Sequence, residues 1–512
     1  LIPSLEKKKR DITRWVILGG MCAAAVICGI IMIPGNNADE LGQTSETGIV
    51  GTTEQTTAEI PAAGSETSTG VKNTVYNHSI SNGTVTMSPG TGKAVVLSKA
   101  IYPDMPEYPV IDESVEHTTE EWQEYDQKCD DWWDSLRKLR EQPEGYDDGF
   151  DAFFEKSAPV FLADAGNENR LYSPLGLYMA LAMTAETTGG QTRQQILDAL
   201  AQSDIDTLRS HARSVWLSNY LDDGSSKSIL ANSIWTNELK SYNEDTVNNV
   251  SENYYASVFS GQPTDEGYNR MFRDWINEST DDLLTESIAD HTISPDMVMT
   301  LASTVNYSGS WANKFDKSLT GEGIFHSPGG DISCDFMKDQ VDTVFKQGEK
   351  FRAVVLDINN NGSVRLLLPE DGVSAGELLS DSEAMEYMMN NFVREDSTEA
   401  IADISVPKFD ISSETDLIGG MEKMGITDVF DADKADFTPL CNGSISVTKA
   451  EQAARVIIDE DGCRAASYTM IEATEGELSS GRVSMVFDKP FVFEIVGEKG
   501  LPLFVGIVKV PV

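Results

Sequence analysis

The chain has 512 residues and a formal net charge of −44, from 83 acidic and 39 basic residues. This charge excludes a general nucleic-acid binder, because such proteins present basic surfaces to the phosphates. The length allows one large core with accessory segments. The charge is also uneven, since residues 1–14 hold five basic and two acidic residues, a net +3.

Residues 15–34 form a run of 20 residues without a charge. As a helix this run spans about 30 Å, the thickness of the hydrocarbon layer of a bilayer. It therefore predicts a single membrane-spanning helix, with the basic head of residues 1–14 in the cytoplasm and the rest of the chain outside the cell. The alternative is a cleaved secretory signal and a secreted protein, but no small-x-small cleavage site follows the run.

Residues 35–117 are predicted to be a flexible tether, because they are rich in Thr, Ser, Gly and Glu and contain few large apolar residues. Residues 118–147 are instead predicted to contain an amphipathic helix. Trp122, Cys129 and Leu136 belong to an apolar series with helical spacing, and Thr118 with Glu121 has the pattern of a capping box. This helix either packs on the body, self-associates as a stalk or binds another protein.

No metal site or cofactor site is indicated. Four cysteines lie outside the apolar run and are widely spaced, the five histidines are scattered, and neither CxxC nor HExxH occurs. No nucleophile motif accompanies the histidines, so an enzyme is not expected.

Residues 148–512 are predicted to be one large α+β domain. Helical patterns dominate its beginning, whereas residues 298–306, 354–356 and 364–368 have the composition of strands. Near its end, residues 459–483 form a polar segment without proline between two strand-like runs. Its first half alternates small and long side chains, so an extended chain would place the small ones on one face.

Several motifs in this domain resemble the serpin family, in the order that the family shows. They are SPLGLYMALAMTAETTGGQTRQQILDAL (173–200), ANSIWTN (231–237), VNYSGSWANKF (305–315), ISVPKFDI (404–411), KMGITDVF (423–430), TKAEQAARVIIDEDG (448–462) and DKPFVFEIVGEKGLPLFVGIV (488–508). The resemblance implies about nine helices around three β-sheets and an exposed reactive centre loop at residues 459–483. It also implies an irreversible suicide inhibitor of serine proteases: the protease cuts the loop, is trapped as an acyl-enzyme, and is distorted when the loop inserts into the central sheet. The alternatives are a non-inhibitory serpin that serves as a surface binding module, and an inhibitor of a cysteine protease.

Loop insertion requires inward residues that enter a sheet without a steric or desolvation cost, because a buried unpaired charge costs several kcal/mol. The inward residues aligned by the resemblance are small and uncharged, which favours an inhibitory serpin. The loop hinge comprises Glu460, Gly462, Cys463, Arg464, Ala465, Ala466, Ser467, Tyr468 and Thr469, of which Cys463, Ala465, Ser467 and Thr469 face inward.

The bond that the protease cuts lies among Gly476, Glu477, Leu478 and Ser479. Counting from the start of the loop reaches Gly476 and counting back from its end reaches Ser479, so the loop carries about three extra residues. These residue types suit elastase-, chymotrypsin- or subtilisin-like proteases rather than trypsin-like ones.

The resemblance also assigns mechanical roles. Lys408 and Glu460 are expected to form a salt bridge where the loop meets the sheet, with Trp311 beneath it. Ser173, Asn306 and Gln452 are expected to form the hydrogen-bonding cluster that lets the sheet open; ordinary core packing is the alternative. A basic head, one span and a tether suit a bacterial surface protein.

Overall fold

The fold is α+β. The structure, a computed structural model, describes residues 23–34, 94–111, 115, 117–162, 166–223, 226–359, 362–389, 397–462 and 481–511. Within these ranges the helices are α1 (Thr119–Arg140), α2 (Phe150–Leu162), α3 (Pro174–Thr187), α4 (Gly190–Ala199), α5 (Ile205–Asn219), α6 (Glu244–Asn253), α7 (Glu266–Ser279), α8 (Thr285–Ile288), α9 (Ala375–Leu378), α10 (Ser382–Met389) and α11 (Ile418–Lys423).

The strands in the same part of the chain form two hydrogen-bonded sheets. They are β1 (Ala23–Pro34), β2 (Val95–Ser98), β3 (Arg170–Tyr172), β4 (Leu221–Asp222), β5 (Lys227–Asn237), β6 (Ala256–Gly261), β7 (Met299–Ser308), β8 (Gly321–Ser327), β9 (Gly330–Gln347), β10 (Phe351–Ile358), β11 (Gly362–Pro369), β12 (Thr398–Pro407), β13 (Phe409–Asp416), β14 (Ile445–Ile458), β15 (Gly481–Val486), β16 (Phe491–Val496) and β17 (Pro502–Val508).

The central sheet has the order β13-β14-β1-β7-β5-β6-β2, with β4 beside β5. The second sheet has the order β15-β12-β9-β10-β11-β16-β17-β3, with β8 beside β9. The resemblance to the serpin family implies three sheets, whereas the described strands form two, and β9 is the reason. This long strand pairs with β8 and β12 along most of its length and with β10 at its end, so it joins two of the expected sheets.

The main core lies between the sheets, where α3 contacts β7, β1 and β17. Every residue of α3 is buried, because its sequence is apolar except for Thr184, Glu186 and Thr187 near its end, and sheets cover it on more than one side. Ser173 begins this helix as its N-cap. The N-terminal end of α3 is therefore fixed directly beneath the middle of the central sheet.

The described part of the apolar run, residues 23–34, differs from the prediction for residues 15–34, and residues 1–22 lie outside the described residues. Instead of a membrane-spanning helix, the structure contains the strand β1 (Ala23–Pro34) between β14 and β7, antiparallel to both. A strand in the middle of a sheet that is covered on both faces needs a continuous apolar sequence, so the run suits this environment as well as a bilayer. None of the helices in the described ranges combines the length and the apolar character that crossing a membrane requires.

The tether also ends earlier than predicted. Residues 35–93 lie outside the described residues, but Val95–Ser98 pairs with β6 at the edge of the central sheet. The ring of Tyr102 then contacts the rings of Trp216 and Tyr220. After residues 35–93 the chain therefore rejoins the body near residue 94, because a few aromatic and branched residues suffice to hold this part of the chain on the domain.

The helix predicted at residue 118 is present as α1, with the Thr118–Glu121 capping box. It packs on the body through Trp132 and Leu136, which are buried beside Leu221. Among the alternatives for this helix, the structure contains the packed one.

Candidate functional site

The first candidate site lies at the end of β14, where the chain leaves the central sheet and enters residues 463–480. Trp311 is almost completely buried, and its indole Nε1 donates a hydrogen bond of 2.8 Å to the carbonyl of Asp459. The backbone N–H groups of Trp311 and Phe315 donate to the carbonyls of Asp461 and Glu460. The turn after β7 thus fixes three successive carbonyls. We call Trp311, Lys408, Glu460 and Gly462 the loop-base site.

The expected salt bridge is present at the loop-base site. Lys408 Nζ lies 2.9 Å from Glu460 Oε2, and the two side chains are 38% and 8% exposed. Lys408 sits between β12 and β13, where the chain passes from the second sheet to the central sheet. Burial opposes ionisation of Glu460, but the hydrogen bond from Lys408 holds the pKa of this carboxyl below its ordinary value. The ion pair therefore links the base of the loop to both sheets.

Two further lysines balance the acidic residues around the pair. Lys317 Nζ lies 2.5 Å from Asp461, and Lys314 Nζ lies 4.0 Å from it. Burial, with Asp461 and Glu460 nearby, raises the pKa of Asp459. Three consecutive carboxyl groups repel one another, so the lysines are needed to hold this turn together. The role of Lys317 was not predicted, because 144 residues separate it from Asp461 and no local pattern joins them.

Replacing Lys408 with alanine should lower the free energy of unfolding by about 1–2 kcal/mol at neutral pH, since Glu460 is then buried without its partner. The pKa of Glu460 is lowered in the folded state, so the pair stabilises the protein above the ordinary carboxyl pKa. This contribution is lost as the pH falls through the lowered pKa of Glu460, and the two proteins should converge only below that pKa. Denaturant unfolding across this pH range measures the difference.

Lys434→Ala is the control for this prediction. Lys434 pairs with Asp431 at 2.8 Å, but the two side chains are 61% and 39% exposed. Its loss should change the free energy of unfolding by less than about 0.5 kcal/mol. Equal losses in the two variants would contradict a special role for the Lys408–Glu460 pair.

Gly462 occupies the last described position before the loop. Its φ is +74°, and a Cβ atom there would lie 2.3 Å from the backbone nitrogen of Trp311. Gly462 also forms a β-bridge with Ser310. The chain turns away from β14 at this point only because glycine allows both the conformation and the close approach.

Gly462→Ala should therefore destabilise the fold by about 3 kcal/mol or more, from the combined backbone strain and steric overlap. Gly372 gives a matched control: its φ is +85°, and no atom among the described residues lies within 4 Å of its ideal Cβ. Gly372→Ala should lose only the strain contribution of about 1 kcal/mol. Thermal unfolding compares the two, and similar losses would show that the contact with Trp311 is unimportant.

The second candidate site lies beneath the middle of the central sheet. Gln452 of β14 accepts a hydrogen bond of 2.8 Å from the backbone N–H of Ser173 and donates one of 3.1 Å to its carbonyl. The Ser173 hydroxyl donates to the carbonyl of Leu503 and accepts from the N–H of Gly176. The amide of Gln452 thus links β14 to the start of α3, as its two-sided hydrogen-bonding capacity permits.

Asn306 does not join this cluster. In β7 the apolar residues Leu301, Val305 and Tyr307 belong to the main core, so Asn306 lies on the opposite face. It lines a cavity of about 600 Å³ beside α7, with Trp275 and other residues. The residue of β7 with the appropriate direction is Ser303, which is fully buried. The alternation of apolar residues in this strand is the signal that the sequence analysis overlooked.

The remaining candidates belong to the loop. The hinge residues Cys463, Arg464, Ala465, Ala466, Ser467, Tyr468 and Thr469 and the candidate cleavage residues Gly476, Glu477, Leu478 and Ser479 lie outside the described residues. The chain returns at β15, which pairs in parallel with β12. Arg482, in this strand, forms an ion pair with Asp403 at 2.7 Å. The loop therefore connects the central sheet to the second sheet.

This geometry can be compared with known proteins. The chain matches the family model described as Serpin (serine protease inhibitor) over residues 159–511. Serpin-Z2A of Oryza sativa subsp. japonica is 26% identical over 404 residues, which cover 68% of this chain and 94% of the relative. Antitrypsin of Bombyx mori is 26% identical over 381 residues, covering 70% and 92%. An uncharacterized serpin-like protein of Methanosarcina mazei is also 26% identical, covering 67% and 82%.

Solved structures share the fold. The native state of the thermophilic serpin tengpin superimposes with a TM-score of 0.61 at 23% identity, covering 72% of this chain and 95% of that chain. The relatives come from a plant, an insect and an archaeon, so they do not support the bacterial source that the architecture suggested. A family match that runs from residue 159 to residue 511, over a fold shared with solved members, establishes that this chain belongs to the serpin family.

Proposed function

We propose that the chain is an irreversible inhibitor of serine proteases that uses residues 463–480 as bait and inserts them into the central sheet after cleavage. The observation that carries the proposal is the position between β14 and β7, which we call the seam. It accommodates one strand antiparallel to both neighbours along its whole length. A loop that begins at the end of β14 and doubles back would run in this direction, beside β14.

The sequence of the loop supports the same mechanism. Its inward residues Ala465, Ser467 and Thr469 are small and uncharged, so they can enter the seam without burying a charge. Each strand residue gained brings cross-strand contacts of about 0.2–1 kcal/mol. Ten or more such residues favour insertion strongly over withdrawal. The inhibitor is consumed in the reaction, so the chain is not an enzyme.

The target is proposed to be an elastase-, chymotrypsin- or subtilisin-like protease. Leu478 followed by Ser479 suits a medium apolar pocket, and Gly476 suits a shallow one. Arg482 is the nearest basic residue, but it belongs to β15 and is bound to Asp403, which disfavours its use by a trypsin-like protease.

A location at the cell membrane, with the serpin domain outside the cell, belongs to the same proposal. It is supported by the uncharged run of residues 15–34 behind a basic head. One observation favours the alternative of a non-inhibitory binding module: β1 fills the seam, and a filled seam has no place for the loop.

The test uses two forms of the full chain, unmodified and Ile30→Asp. Ile30 is fully buried in β1, so an aspartate there should exclude β1 from the sheet and leave the seam open. Each form is incubated with pancreatic elastase, subtilisin or papain and separated on a denaturing gel. A band at the summed mass in the Ile30→Asp chain is expected with a serine protease. A band at the summed mass with papain alone would indicate a cysteine-protease inhibitor. If every protease cleaves the chain but none forms a covalent complex, the binding module is favoured.

A further inference from the structure

The strand that fills the seam is formed by this chain's own N-terminal segment. All twelve residues of Ala23–Pro34 pair with β14, and ten of them also pair with β7. The only irregularity lies between Ile31 and Met32. The backbone groups that β14 and β7 offer to the seam are therefore already used by β1, and a second strand cannot pair with them.

The side chains of β1 fit both faces of the sheet. Cys28, Ile30 and Met32 are fully buried in the main core beside α3. Ile31 is 5% exposed and packs on the opposite face, in the apolar cluster formed with α7 and α8. Burial of a large apolar side chain contributes about 1.5–3 kcal/mol. The seam is thus a complete binding site for this segment.

The loop is a weaker occupant of the same position. Its inward residues Ala465, Ser467 and Thr469 are small and bury much less apolar surface than Ile30 and Met32. In water, β1 should therefore hold the seam against the loop. Removal of β1 requires another environment that is as apolar as the interior of the sheet.

A lipid bilayer is such an environment, and the segment has the length for it. The 20 uncharged residues 15–34 would span the hydrocarbon layer as a helix, and the net charge of +3 in residues 1–14 favours an anionic surface. Residues 35–93 connect the segment to the body. At roughly 3.3 Å per extended residue, this connection is long enough for either location.

We propose that β1 and the loop of residues 463–480 compete for the seam, and that a lipid bilayer favours the loop by taking up the uncharged run of residues 15–34 and so withdrawing β1 from the sheet. The inference rests on the proposed function. The chain then has two exclusive forms, one with β1 in the seam and no inhibition, and one anchored in the membrane with the seam open.

Formation of a disulfide bond can show whether β1 occupies the seam, independently of any inhibition assay. Cys28 is a free, buried cysteine directly opposite Ser303 of β7. Antiparallel partners lie about 4.5–5.5 Å apart between Cα atoms, within the range of a disulfide. In the full chain with Ser303→Cys, oxidation in buffer by oxidised glutathione, for long enough to allow local opening of the sheet, should therefore bond Cys28 to the new thiol at position 303. Thr304→Cys is the matched control, because its side chain points to the other face and should not form the bond.

The same Ser303→Cys chain is then reconstituted in vesicles of phosphatidylcholine and phosphatidylglycerol before oxidation. The yield of the bond, measured by peptide mass spectrometry without reduction, should fall about tenfold or more. An unchanged yield in vesicles would overturn the role of the bilayer. Absence of the bond in buffer would overturn the occupation of the seam, whatever the inhibition assay shows.

Inhibition is measured in a separate experiment, as formation of a covalent complex with subtilisin. Chain that is oxidised before reconstitution should form no covalent complex with subtilisin, whereas the reduced chain in vesicles should form it. A complex from the oxidised chain would overturn the competition. If the bond forms as expected and neither chain gives a complex, the proposed inhibitory function fails, while the occupation of the seam by β1 stands.

Discussion

Ile30→Asp should release β1 from the central sheet and expose Cys28 to thiol reagents. Both residues are fully buried, and an unpaired carboxylate at Ile30 would cost several kcal/mol to bury. The rate of alkylation of Cys28 by a maleimide should therefore rise about 100-fold or more, since protection depends on the population of the inserted strand. Peptide mass spectrometry of the labelled chain measures this rate.

Gly29→Asp is the control for this result. It introduces the same side chain at the neighbouring residue, on the opposite face, where no atom of the described residues lies within 4 Å of the ideal Cβ. It should leave β1 in place and Cys28 protected. Equal labelling of the two variants would show that the buried face of β1 does not hold it in the seam.

Ser467→Arg should convert the open-seam form from an inhibitor into a substrate. In the Ile30→Asp background the loop has a vacant position to enter, but an inward arginine would bury an unpaired charge at a cost of several kcal/mol. The acyl-enzyme then hydrolyses before insertion is complete. The fraction of protease in the covalent complex should fall more than about tenfold, with cleavage of the loop unchanged.

Tyr468→Arg in the same background tests whether the direction of the arginine side chain, and not its charge alone, prevents loop insertion. Tyr468 alternates outward in the sequence, so the same arginine one residue later should leave the complex largely intact. If both variants lost the complex equally, the inferred alternation of the loop would be wrong. Densitometry of denaturing gels, at fixed ratios of inhibitor to protease, measures both fractions.

The loop-base site was predictable from the sequence. Lys408, Glu460 and Trp311 were assigned to it by the resemblance to the serpin family, and the structure brings these three together. The assignment was possible because each residue lies in a motif that occurs in the order that the family shows. The roles of the hinge and of the cleavage residues stay predictions, since residues 463–480 lie outside the described residues.

The location of residues 23–34 was not predictable from the sequence. A strand buried on both faces and a membrane-spanning helix both require an uninterrupted apolar run, so hydropathy does not distinguish them. The competing sheet position is formed by residues about 270 and 420 positions later in the chain, in β7 and β14. Only the tertiary structure shows that a position of matching length exists.

Asn306 was misassigned. It was assigned to the cluster by the resemblance to the family, although the alternation of Val305 and Tyr307 already placed it on the other face. In a strand an odd shift of register reverses the direction of every side chain. Ser303 has the direction that Asn306 lacks, but its hydroxyl makes no hydrogen bond among the described residues.

β1 and the cleaved loop should exclude each other from the seam. The most direct measurement is the thermal unfolding temperature before and after the loop is cut by a protease that does not form a complex. In the Ile30→Asp chain, insertion of the cut loop should raise this temperature by about 10 °C or more. In the unmodified chain in buffer, where β1 fills the seam, cleavage should leave it nearly unchanged. An equal rise of the unfolding temperature in both chains would show that β1 does not exclude the cut loop from the seam.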